Sequence, residues 1–229
     1  VAWKALNPAR GDQSPRAGSL WGDQTTPGPA GFLVAFVDGF SSPPHIHNVT
    51  YRGVVLGAEV HNADAAAPEQ WMPAGSYWTQ PAGVPHITSA KGAGAVAYIE
   101  IDDGPYLVKP TAEAFDPGES PINVHADNLV WVPASELASS AADTVFLWGE
   151  PGKRSGRLIR LPAASTATVR SEAAHRMVVV AGEVVRAKTA LAAGSHVGAD
   201  GAAAHGLACT SEELCVMYVR AEGAVAVGP

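Results

Sequence analysis

A chain of 229 residues with 47% hydrophobic and 16% charged residues can bury one core or two, and it is too apolar to be a disordered segment. Its net charge of −7, with no run of lysine or arginine, argues against a nucleic-acid or anionic-membrane partner. The uncharged stretch 71–90 holds three prolines and two glycines, which excludes a membrane-spanning helix there.

Taken in chain order, the secondary-structure signals are β throughout. The runs 32–37, 54–60, 95–101, 177–185 and 214–219 are short, rich in β-branched or aromatic residues, and bounded by Gly, Pro and Asp. No stretch keeps a helical period for three turns. The proline-rich segment 102–121 reads as a connection, with a short helical turn starting at Thr111. Cys209 and Cys215 fall in one apparent strand region. Six residues of extended chain span about 20 Å, too far for a disulfide, so two reduced, buried thiols are expected. That leans slightly toward a soluble, cytoplasmic location, although any leader preceding Val1 would leave no trace here.

The chain also repeats itself. Trp3 matches Trp131, Leu20-Trp21-Gly22-Asp23 matches Leu147-Trp148-Gly149-Glu150, and Gly31 matches Gly156. Val54-Val55-Leu56-Gly57 matches Val179-Val180-Ala181-Gly182 at an offset of 125. Ala74-Gly75-Ser76 matches Ala193-Gly194-Ser195, His86 matches His205, and Tyr98 matches Tyr218. The order is kept, and four of the six tryptophans take part. Two tandem copies of one all-β domain are expected, at 1–125 and 126–229.

The chemistry concentrates in the first copy. His45 and His47 stand two apart, so a strand projects both from one face. The run Gln80-Pro81-Ala82-Gly83-Val84-Pro85-His86 folds the chain back through a Pro-x-Gly turn and presents a third imidazole. Three imidazoles on one wall leave open metal positions, as catalytic metals require. Tyr51 shares their face if the strand stays regular; it could ligate as a phenolate, pass a proton to substrate, or fill the core. Gln80 could face the same cavity, holding substrate, serving as a fourth ligand, or bonding a neighbour. Ser76 and Trp78 share its strand face by period two and are candidate substrate-binding residues. Arg52 is expected to point away, and His61 to be a surface or loop residue. Sliding the second copy by 125 puts Arg170, Glu172 and Arg176 where His45, His47 and Tyr51 stand, so this copy is expected to be degenerate. His175 and His196 are then the residues that could build something with His205.

The paired-histidine and Pro-x-Gly motifs resemble those of the cupin superfamily, in which a jelly-roll β-barrel carries a metal. Tyr51 or Arg52 stands where that pattern usually has its carboxylate ligand. Asn7-Pro-Ala-Arg-Gly-Asp12, Leu20-Trp-Gly-Asp23, Ser42-Pro-Pro-His-Ile-His-Asn-Val-Thr-Tyr-Arg52 and Gly75-Ser-Tyr-Trp-Thr-Gln-Pro-Ala-Gly83 resemble a bacterial two-cupin family, DUF4437. The resemblance implies tandem cupin domains, the second degenerate, and a metal centre at His45, His47 and His86.

Three neutral imidazoles leave a divalent ion its full +2 charge, which favours small anionic or chelating substrates. The leading expectation is a non-haem Fe(II) dioxygenase in which Gln80 and Tyr51 position substrate or move a proton. A zinc- or nickel-dependent isomerase or hydrolase is the alternative, with manganese also open as the metal. A non-catalytic metal- and ligand-binding cupin is the third reading. The expected partner is a small-molecule substrate, with homodimerisation open.

Overall fold

The β-branched and aromatic runs become strands because their side chains suit a pleated surface buried on one or both faces. The structure, a computed structural model, describes residues 1–137 and 140–229. The chain divides into two units, Val1–Asn128 and Leu129–Pro229.

The first unit contains β1 (Lys4–Ala5), β2 (Arg16–Trp21), β3 (Ala30–Ala35), β4 (His45–His47), β5 (Tyr51–Ala63), β6 (Tyr77–Gln80), β7 (Ile87–Ile101), β8 (Val108–Pro110) and β9 (Ile122–Val124). Seven of them form an antiparallel sheet in the order β1-β2-β3-β7-β5-β6-β9, and β4 pairs with β8. The long β5 and β7 run side by side from Tyr51↔Ile101 to Ala63↔Ile87, bending where the register slips at Gly57. Phe32, Val34, Tyr51, Val55, Trp78, Ile99 and Ile101 fill the interior. Gly53 faces Trp78 across β5 and β6, and a Cβ there would overlap the indole, so only glycine admits that ring.

The second unit has β10 (Asp143–Gly149), β11 (Ser155–Leu161), β12 (Thr166–Ser171), β13 (His175–Ala181), β14 (Val184–Arg186), β15 (Thr189–Leu191), β16 (His196–Ala199), β17 (Ala203–Cys209), β18 (Cys215–Ala221) and β19 (Val225–Gly228). They form two five-stranded sheets, β10-β11-β18-β13-β16 and β15-β14-β17-β12-β19. The tandem all-β reading holds, and the repeat is visible atom by atom. Trp21 Nε1 donates to the Tyr98 hydroxyl at 3.0 Å, and Trp148 Nε1 donates to the Tyr218 hydroxyl at 2.8 Å. In each unit the indole lies over a glycine, Gly31 or Gly156, that has no room for a Cβ.

Four expectations change. Cys209 and Cys215 are disulfide-bonded with Cα atoms 5.7 Å apart, because the chain turns between β17 and β18 instead of running extended. The leaning toward a reducing compartment therefore loses its basis. No helix of the described residues is long and apolar enough to cross a membrane. The segment 102–121 is no loose connection: its β8 pairs with β4, and the turn expected at Thr111 is a 3₁₀ turn, Thr111–Glu113. His61 is not a surface or loop residue. It lies on β5, 3% exposed, with Nδ1 accepting from the Gln70 amide at 3.2 Å.

The fourth correction concerns how the copies align. Val54 pairs with Tyr98, and Val178, not Val179, pairs with Tyr218, so the offset in this strand is 124 (178 − 54). A one-residue slip turns every side chain to the other face. His175 thus takes the place of Tyr51, opposite Ala199 as Tyr51 is opposite Gln80. Val169 pairs with His205 as His45 pairs with His86, which puts Val169 and Ser171 in the places of His45 and His47. Arg170, Glu172 and Arg176 do not occupy the site positions; Arg176 Nη1 instead donates to the Ala199 carbonyl at 2.6 Å.

Candidate metal centre

Local backbone geometry brings the three histidines together. β4 carries His45 and His47, and His45 exchanges both backbone hydrogen bonds with His86, each at 3.0 Å. The turn before His86 is held by Gly83, whose φ of +75° suits glycine and whose amide donates to the His47 carbonyl at 2.9 Å. The ring centroids lie 5.0 Å (His45–His47), 4.4 Å (His45–His86) and 5.3 Å (His47–His86) apart.

Each ring is fixed through Nδ1. His45 Nδ1 bonds the Pro43 carbonyl at 2.9 Å, His47 the Leu107 carbonyl at 3.0 Å, and His86 the Val84 carbonyl at 3.2 Å. A carbonyl only accepts, so each Nδ1 carries the proton and each Nε2 is left as a lone pair. One ring nitrogen from each histidine lies within 4.8 Å of the others, close enough for small rotations to bring them onto one ion. Burial lowers the pKa of all three: His45 moderately; His47 well below the usual value, helped by His86 and His45; and His86 to about 3, helped by His45. These neutral imidazoles form the donor set that a divalent transition metal takes.

His45 and His47 border a cavity of about 300 Å³, together with Tyr51, Trp78 and Tyr106. Phe36 and Phe40 make part of its wall apolar, and Arg10 adds a guanidinium over the Phe40 ring, 5.2 Å from its centroid. His86 is 1% exposed and sits behind this wall. Tyr51 does not share a regular strand with the histidines, since 48–50 break the strand. Its hydroxyl nevertheless comes 3.1 Å from His86 Nε2. Burial raises its pKa above the ordinary phenol value.

Two expected roles do not survive. Gln80 is fully buried and does not line the cavity. Its Nε2 donates to the Val84 carbonyl at 3.0 Å and its Oε1 accepts from Asn62 Nδ2 at 3.1 Å, so neighbours use the amide. Ser76 lies in the turn before β6, away from the cavity, where its hydroxyl accepts from the Ala126 amide at 3.0 Å. Trp78 does line the wall, and Arg52 points elsewhere, paired with Asp102 at 3.0 Å.

Tyr106, Asn62 and Thr88 were missed by the sequence reading. Tyr106 stacks on His47 with centroids 4.1 Å apart and bonds its Nε2 at 3.0 Å; burial, and secondarily Tyr51, raise its pKa. Asn48 holds the Tyr106 segment in place, donating to the Pro105 carbonyl at 2.9 Å and accepting from the Leu107 amide at 2.8 Å. Asn62 Oδ1 accepts from Tyr51 at 2.9 Å and from Thr88 at 2.8 Å.

In the second unit, His175 Nε2 meets His205 Nε2 at 2.7 Å, and Arg186 Nε donates to His205 Nδ1 at 3.2 Å. His196 does not join this pair; its Nε2 is buried without a hydrogen-bond partner. Among the described residues, the first unit holds the three-ligand cluster.

No curated protein matches the chain in sequence. Among solved structures, a putative dioxygenase from Nostoc punctiforme superposes with a TM-score of 0.70 at 14% identity, covering 90% of this chain and 73% of that one. The Lactobacillus farciminis oxalate decarboxylase, solved as a formate complex, gives 0.61 at 13% identity, covering 93% and 82%. A salicylate 1,2-dioxygenase variant from Pseudoaminobacter salicylatoxidans gives 0.58 at 14% identity, covering 90% and 75%. At such identities these likenesses establish the cupin fold and leave the reaction open. The model of the domain of unknown function DUF4437 matches residues 1–227, so the chain belongs to the DUF4437 family.

Proposed function

We propose that the first unit is a metal-dependent cupin oxygenase acting on a small organic anion, with His45, His47 and His86 holding a divalent ion, iron(II) foremost. The carrying observation is the convergence of three neutral imidazoles, each with its Nδ1 proton on a backbone carbonyl, beside a partly apolar cavity. A divalent ion there supplies Lewis acidity and, as iron, the redox capacity to use dioxygen. The chain's own residues do the rest. The three rings hold the ion without neutralising its charge, which favours an anionic substrate. Arg10 adds a second positive charge on the cavity wall, while Phe36, Phe40 and Trp78 exclude water from an organic body. The two dioxygenase-named structural neighbours favour oxygen chemistry over the zinc or nickel alternative.

The test begins with metal content, measured by plasma mass spectrometry on protein prepared without chelator or nickel affinity steps. Oxygen uptake is then followed with β-diketones, thiols and hydroxy acids. Near-stoichiometric iron, lost in His45→Ala/His47→Ala, with iron-dependent oxygen uptake, is the expected result. Turnover with zinc or nickel and no oxygen uptake would replace the dioxygenase reading with Lewis-acid catalysis. Metal binding without turnover across the panel would favour a binding role.

A further inference from the structure

Besides its imidazoles, the cavity wall holds one basic side chain, and that side chain has no counter-charge. No Asp or Glu lines the cavity, and among the described residues no carboxylate lies within ion-pair distance of Arg10. Val34, Phe36, Phe40, Trp78 and Ile99 give the same cavity an apolar surface. A guanidinium beside such walls is short of acceptors, and a carboxylate supplies two in one plane.

The guanidinium is also held in place. Pro8–Gln13 forms 3₁₀ turns broken at Gly11, and the loop is closed at its base. There the Leu6 amide donates to the Pro15 carbonyl at 2.8 Å, and the Asn7 amide donates to the buried Ser14 Oγ at 2.9 Å. Arg10 Nη1 donates to the Ser41 carbonyl at 3.4 Å while the guanidinium lies over Phe40. The Ser41 segment is fixed in turn to β7: the Ser41 and Ser89 hydroxyls bond at 2.8 Å, and the Ser42 amide donates to the Thr88 carbonyl at 2.9 Å. Ser41 precedes His45 by four residues, at most about 14 Å of extended chain. One rim segment thus carries both the anchor of the guanidinium and the first imidazole. A cation ordered before binding loses little entropy when an anion arrives.

Volume sets the size of that anion. A cavity of about 300 Å³ is the share of roughly ten water molecules, room for one carboxylate and one ring or branched chain.

We propose that Arg10 is the specificity-determining residue of this site, capturing the carboxylate of a small monocarboxylate. The apolar body of that molecule lies against Phe36, Phe40 and Trp78, and its far end faces His45 and His47. The placement of the far end rests on the metal-centre reading above, whereas the capture of a carboxylate by Arg10 does not. A single guanidinium selects one carboxylate over a dianionic phosphate, which needs more donors.

Calorimetric titration with three probes tests it, on metal-free and on zinc-loaded protein: phenylacetate, its uncharged counterpart phenylacetamide, and acetate, which has the charge without the body. Wild type is expected to hold phenylacetate at least roughly 10-fold more tightly than either other probe, in both metal states. Arg10→Met is expected to lower phenylacetate affinity to that of the amide while keeping zinc stoichiometry and melting temperature. A preference for phenylacetate that survives in Arg10→Met, or that appears only with zinc, puts the carboxylate on the ion and overturns the Arg10 assignment. Acetate held as tightly as phenylacetate overturns the apolar body, and no binding of phenylacetate by wild type overturns the whole proposal. No zinc uptake by wild type, with the Arg10-dependent preference intact, overturns the metal-centre reading and the placement of the far end, and leaves the carboxylate site standing.

Discussion

At the residue scale, the candidate site is a set of buried bases kept neutral. In the unfolded chain these histidines take up protons near 6.5, whereas His86 in the folded, metal-free chain does so only near 3. Between those values the unfolded state binds more protons, so stability is present above the unfolded pKa and is lost as pH falls. The stability of metal-free protein is therefore expected to drop between about pH 7 and 4, by up to ~1.4 kcal/mol per pH unit for each histidine that stays neutral, and its melting temperature with it. A flat profile over that window would show that the folded site accepts protons freely. A bound ion stabilises the folded state alone, so adding zinc to the metal-free protein at neutral pH should raise its melting temperature. His45→Ala/His47→Ala should abolish that rise.

At the element scale, β5 and β6 hold the site through close packing as well as ladder hydrogen bonds. Gly53 on β5 leaves the space that the Trp78 indole fills, and Trp78 in turn walls the cavity beside Tyr51, ring centroids 6.4 Å apart and edge to face. Gly53→Ala forces one of them to move, at an expected cost of about 1–3 kcal/mol in a denaturant titration. An unchanged midpoint would mean that the ring relaxes freely. The segment carrying Tyr106 shows how little composition says about such a place. Its prolines and acidic residues suit a linker equally well, and only its pairing with β4 and the clamp by Asn48 make it a cavity wall.

At the scale of the molecule, the two units diverge by what each was given to close its core. Where β7 runs on unbroken in the first unit, the second interrupts the path between β17 and β18 and joins the break with Cys209–Cys215. A loop of sequence separation 6 constrains the unfolded chain by about 2 kcal/mol in the chain-entropy account. Cys209→Ala/Cys215→Ala should lower the denaturation midpoint accordingly while leaving metal stoichiometry unchanged. Metal loss in that variant would contradict a site complete within Val1–Asn128.

The all-β repeat and the grouping of the three histidines can be read from residue patterns alone. Strand period two and a Pro-x-Gly turn act over a few residues, and short-range geometry survives any packing. The sequence leaves the register of the second copy open, because the run Val178-Val179-Val180 matches Val54-Val55 at either of two offsets; His175 in the place of Tyr51 was thus invisible. It misread the cysteines by treating as extended a segment that turns. Tyr106 reaches His47 from 59 residues away, and the Tyr51 hydroxyl comes 3.1 Å from His86 Nε2 and 2.9 Å from Asn62 Oδ1. Such contacts exist only in the folded chain, because the partners of a buried polar group come from every element packed around it.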